Sequence, residues 1–118
     1  MTLFKALWTL KFKRINEKTL RSAIALRKYI AAQFSPASAK AIYEVFNSKK
    51  VLDFSSGWGD RLLAFAACEN TEHYTGIDPN VALVEGYKQQ IKEYGGDKDY
   101  RMIVGCAEDV ILEEGFFD

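Results

Sequence analysis

The stretch Val51 to Leu62, VLDFSSGWGDRL, decides how the chain is read. An apolar run ends on an acid, two glycines follow one residue apart, and a second acid, Asp60, opens a pattern with helical spacing. That order predicts a strand, a tight turn and a helix. Gly57 and Gly59 carry no Cβ, so the backbone can turn sharply between them and a ligand can approach its N–H groups.

Downstream the same alternation continues. KVLDFS reads as a strand, DRLLAFAACE as a helix, HYTGID as a strand, NVALVEGYKQQIKEY as a helix, GGD as a turn and YRMIVG as a third strand. Strand and helix in strict alternation predict an α/β fold, a parallel sheet whose strands are joined by crossover helices. EDVILEE suggests a short helical turn, and GFFD the first residues of a fourth strand, so a doubly wound sheet is expected that is either cut short after about three strands or covered at its exposed edge by something else. Upstream, FSPASAKAIYEVF predicts a helix with Ser35 as cap, Pro36 at its first position, and Ala39, Ile42, Tyr43 and Phe46 on its buried face. From Glu17 to about Gln33, the spacing of Leu20, Ile24, Tyr29 and Ile30 predicts an amphipathic helix. Leu7 to Ile15 fits a strand and a helix equally. The chain thus divides into a basic helical segment, 1–33, and a partial ligand-binding domain, 34–118.

Composition narrows the classes of function. With 48% hydrophobic and 27% charged residues the chain is expected to fold as an ordinary globular protein. It has no apolar run near the roughly 20 residues of a membrane span, and Lys5 interrupts the apolar opening, so neither a membrane partner nor a secretory signal is expected and a cytoplasmic setting is. Cys68, Cys106 and the single histidine, His73, lie far from any metal-ligand spacing, so no metal is expected. The net charge of zero conceals an excess of seven positive charges in residues 1–30 and of seven negative charges in the remainder. The basic end suits a nucleic-acid backbone such as DNA; a solvated helix face is the alternative.

The glycine turn lies where an open parallel sheet gathers ligands, outside the carboxyl ends of its strands. A dinucleotide fits it poorly. Leu62 stands where the third glycine of that fingerprint belongs, and Asp53 and Asp60 would repel a pyrophosphate. No Gly-Lys-Ser/Thr follows, so a P-loop is excluded. A ligand with positive charge and no phosphate fits better, and S-adenosylmethionine carries both an ammonium and a sulfonium. Asp78 ends the second strand 25 residues after Asp53, where a carboxylate can accept from both ribose hydroxyls, with Pro79 and Asn80 shaping the turn. Backbone N–H groups of Ala107 and Glu108, and the carboxylate of Glu108 or Asp109, are placed to read an adenine edge. Asp60 and Asp109 have a second role open to them as first-turn residues of helices. Trp58 is suited equally to roofing the methionine end, lining a base pocket or packing on a neighbouring helix.

With those residues in hand, the chain resembles the S-adenosylmethionine-dependent methyltransferases of the Rossmann-like class. LDFSSGWG looks like their glycine motif, YTGIDPN like the acidic end of their second strand, and GCAED like the end of the third. The closer resemblance is to the amino-methyltransferases that act on adenine N6 or cytosine N4 in DNA, in which a turn like Phe34-Ser35-Pro36 opens a helix and lines the methionine end of the cofactor. The resemblance implies S-adenosylmethionine as cofactor, with Phe34, Ser35, Pro36, Asp53, Ser55, Gly57, Trp58 and Gly59 around its methionine half. It implies methyl transfer to a flipped base. The family's Pro-Pro-Tyr/Phe motif follows the fourth strand, so no catalytic residue is expected up to Asp118. Two other functions compete: an assembly module that forms a homo-oligomer through an unpaired strand edge, and part of a methyltransferase for a small molecule.

Overall fold

The computed structural model describes residues 16–27 and 33–118. The chain falls into two units, Met1–Ala32 and Gln33–Asp118. In the first, helix α1 spans Glu17–Arg27. It begins at a reciprocal cap, in which Thr19 N donates to Asn16 Oδ1 at 2.9 Å and Asn16 N donates to Thr19 Oγ1 at 3.1 Å. Two N–H groups that the first turn leaves without helical partners are satisfied in this way. Asn16 as the helix start escaped the sequence reading. Leu7 to Ile15, Tyr29 and Ile30, and the basic residues Lys5, Lys11, Lys13, Arg14 and Lys28, lie outside the described residues.

The second unit carries α2 (Pro36–Val45), β1 (Lys50–Asp53), α3 (Asp60–Ala66), β2 (His73–Asp78), α4 (Val84–Tyr94) and β3 (Asp99–Val104), with single 3-10 turns at Val81–Leu83 and Ala107–Asp109. The strands lie in the order β1-β2-β3, and both pairings are parallel. Asp53 stands in register with Gly76, and Asp78 with Val104, so the two acids end neighbouring strands on the same side of the sheet. All three helices contribute to one core: Ala39 and Tyr43 from α2, Leu62, Ala64 and Phe65 from α3, and Tyr87 from α4 pack with Tyr74 of β2. Because side chains alternate along a strand, His73, Thr75 and Ile77 face the opposite side, where the His73 ring meets Phe116 at 4.9 Å between centroids.

Three expectations are corrected. On α2, Ala39 and Tyr43 are buried, but Ile42 is 47% and Phe46 75% exposed; α2 packs on α3 through a narrow stripe, and only Ala39 and Tyr43 fall on it. β1 is half-buried rather than a buried interior strand, because its outer edge has no strand beside it among the described residues. The short helical turn expected in EDVILEE is present as the 3-10 turn at Ala107–Asp109, which takes in its first two residues, but GFFD forms no strand. Asp118 bonds to the β1 edge: its N–H donates to Lys50 O at 3.0 Å, and its carboxylate accepts from Lys50 N at 2.7 Å. The backbone N–H groups of Lys50 and Lys49 hold the Asp118 carboxyl below the usual carboxylate range.

Candidate functional site

The site grows from the end of β1. After Asp53 the chain crosses toward β2, and Ser56 N donates to Ile77 O at 3.0 Å, which pins the loop to the neighbouring strand. Gly57 has φ +54° and Gly59 φ +88°, both in the left-handed region that costs other residues roughly 1–2 kcal/mol. Around Gly57 a Cβ would meet nothing closer than Ser55 O at 3.9 Å, so the turn is open on its outer side. Gly59 differs: a Cβ there would run into the Gln90 side chain, whose amide donates to Trp58 O at 3.1 Å. The first glycine thus leaves space for a ligand, and the second lets α4 close on the turn.

Asp78 joins this turn directly. One carboxylate oxygen accepts from Gly57 N at 2.9 Å and the other from Asn80 N at 2.9 Å. A carboxylate has about four acceptor directions, so each oxygen keeps one for a ligand hydroxyl, and a ribose diol fits what remains. Asn80 in turn caps the following 3-10 turn, accepting from Ala82 N at 3.1 Å. Tyr87 reaches from α4 to donate its hydroxyl proton to Gly57 O, with Ser56 Oγ 3.3 Å from the same hydroxyl. Ser56 and Tyr87 therefore set the shape of the turn.

Asp53 is only 7% exposed, and its carboxylate is fully engaged. Arg61 grips it with two arms, Nε at 2.8 Å and Nη2 at 3.0 Å. Tyr74 donates its hydroxyl at 2.6 Å, and Ser55 N donates at 3.3 Å. Four donors fill its acceptor directions, so a ligand ammonium can reach Asp53 only by displacing one of them. Arg61 also donates to Ser55 O and stacks over Phe34, 5.3 Å from the ring centroid. Burial, with the Asp53 charge and hydrogen bond added, pushes the Tyr74 hydroxyl far above the ordinary tyrosine range. Burial, with the Asp53 charge added, pushes Tyr43 up to about 12. The Asp53 hydrogen bond raises the Arg61 guanidinium. All three therefore keep their protons at neutral pH.

Phe34, Ile42, Val51, Leu52, Asp53, Phe54, Ser55 and Arg61 line a cavity of about 410 Å³. Phe34, Asp53 and Ser55, expected from the sequence at one end of a ligand, thus share one cavity. Ser35 and Pro36 are exposed at the start of α2, with Pro36 at its first position as expected and Ser35 making no side-chain cap. Trp58 is exposed, as are Pro79 and Asn80. Beyond β3, Gly105 N donates to Asp78 O at 3.2 Å, which draws the third strand's end against the second's. Ala107, Glu108 and Asp109 follow in a 3-10 turn, Glu108 and Asp109 exposed and the Asp109 N–H held by Cys106 O. Asp60 is the first residue of α3. Among the described residues, no group of three or more His, Cys, Asp or Glu side chains could hold a metal, and no helix is long and apolar enough to cross a membrane.

No protein-family model matches the chain, and no curated protein does. Among solved structures it is similar to the crystal structure of a candidate caffeoyl-CoA O-methyltransferase from Staphylococcus aureus, with a TM-score of 0.55 and 21% identity over 87% of this chain and 50% of that one. The chain spans about half the length of that structure. Its three parallel strands with their flanking helices form a Rossmann-like α/β arrangement similar to that of the matched structure.

Proposed function

We propose that the glycine turn holds S-adenosylmethionine and that the chain is the cofactor-binding portion of a methyltransferase. One observation carries this most: the open, left-handed turn at Gly57 is tied through its N–H to Asp78, whose carboxylate retains acceptor capacity for both hydroxyls of a ribose. The residues fit the cofactor along its length. Asp78 takes the ribose, with Pro79 and Asn80 beneath it, and Ala107, Glu108 and Asp109 lie at the adenine side. Phe34, Ser35, Pro36, Asp53, Ser55 and Trp58 surround the methionine end, and Gly57 and Gly59 let the backbone approach. When bound, the cofactor supplies an electrophilic methyl group; the protein's part is to bind it, orient it and restrict water around it.

Two acceptors are supported by different observations. A base amine in DNA is what the resemblance of Phe34-Ser35-Pro36 to the opening turn of DNA amino-methyltransferases implies, with the basic first 30 residues suited to phosphate contacts. A small molecule is supported by the likeness to a protein described as an O-methyltransferase of caffeoyl-CoA. Salt-dependent binding of duplex DNA, weakened by replacing Lys11, Lys13 and Arg14, distinguishes them. Among the described residues β1 has no strand at its outer edge, which favours a further reading, assembly with a second copy; light scattering would then give a dimer mass.

Calorimetric titration tests the cofactor directly. Asp78→Ala removes two charge-assisted acceptors, so S-adenosylmethionine affinity is expected to fall about thirtyfold or more. Circular dichroism confirms that the variant is folded. Equal affinity in the folded variant would remove Asp78 from the site.

A further inference from the structure

We infer that Arg61, held by Asp53, receives the carboxylate of the ligand's amino-acid end. The inference rests on the cofactor proposal above and names the residue that reads one end of it. Arg61 lines the cavity of about 410 Å³ together with Asp53, Ser55 and Phe34. A guanidinium has five N–H donors in a flat fork. Two of its nitrogens are spoken for: Nε faces Asp53 Oδ2, and Nη2 faces Asp53 Oδ1 and Ser55 O. Nη1 makes no hydrogen bond to any described residue.

The geometry fixes Arg61 more tightly than an exposed arginine. Two parallel bonds to a buried carboxylate set the plane of the guanidinium, and the Phe34 ring lies against it. Its side chain is 26% exposed, so it is reachable from solvent. A preset planar donor of this kind suits a carboxylate, and little side-chain freedom is lost when one arrives. Asp53 is then a positioning residue, already saturated by four donors, and acts on the ligand through Arg61. Of the pair, the cation is the member open to a ligand, because Arg61 is 26% exposed and Asp53 only 7%.

The test compares two ligands on the unmodified chain, S-adenosylmethionine and decarboxylated S-adenosylmethionine, by calorimetry. The two differ only in the carboxylate. The expected preference for the carboxylated ligand is roughly ten- to a hundredfold, the range of a charge-assisted pair. Arg61→Lys keeps a cation beside Asp53, but a lysine has no fork; it should lose most of that preference, with circular dichroism confirming that the variant is folded. Equal binding of both ligands by the unmodified chain overturns the inference and leaves the cofactor proposal standing. An unchanged preference in Arg61→Lys also overturns it. Binding of neither ligand by a folded chain removes the cofactor proposal, and the inference with it.

Discussion

Arg61→Met should destabilise the folded chain by roughly 3–5 kcal/mol, the cost of leaving a buried carboxylate without its partner. Asp53 would keep only the Tyr74 hydroxyl and the Ser55 N–H, at 2.6 and 3.3 Å. Two neutral donors do not replace a two-armed cation for a group only 7% exposed. Adding Asp53→Asn to Arg61→Met should recover much of the loss, because the amide carries no charge to bury. Urea unfolding of the single and double variants measures both values. A loss below about 1 kcal/mol in the single variant, the range of exposed ion pairs, would show that water screens the pair and that Asp53 is free to face a ligand.

Phe65→Ala should cost a similar amount, about 3–5 kcal/mol, through the cavity it leaves. Phe65 is 0% exposed and sits where α3 meets the sheet. Its ring lies 5.2 Å from Tyr74, 5.6 Å from Tyr100 and 6.3 Å from Tyr43, centroid to centroid. The Lys98 ammonium is 5.3 Å from the same ring and donates to Phe65 O at 3.1 Å and Ala66 O at 3.3 Å, tying the end of α3 to the segment before β3. Burial lowers the Lys98 ammonium from its ordinary range. Removing the ring therefore loosens the helix that begins at the glycine turn, and thermal unfolding should show the loss. A change of less than about 1 kcal/mol would mean that the surrounding tyrosines close the cavity.

Much of this was legible in the sequence, for identifiable reasons. β2 occupies His73–Asp78 as HYTGID predicted, and its four middle residues are buried between the neighbouring strands. Pro36 and the glycine turn were readable because each restricts or frees the backbone locally. The partners of Asp53 were not. Neither Arg61 nor Tyr74 stands out in the sequence, and only the fold brings them to one carboxylate from positions 8 and 21 residues away. The i,i+8 spacing across a strand-to-helix turn was the available signal for Arg61. Ile42 and Phe46 were misplaced because periodicity locates an apolar stripe on a helix but not the width that its neighbour covers.

In the proposed complex, S-adenosylmethionine lies on the turn between β1 and α3, over Asp78. Nuclear magnetic resonance with S-adenosylhomocysteine added to the isotope-labelled chain tests the location residue by residue. The account predicts saturable shifts of the Gly57, Trp58, Gly59, Asp78, Asn80 and Glu108 amides, with the far end of α4 unchanged. Saturable shifts confined to other residues, or none from a folded chain, would contradict it.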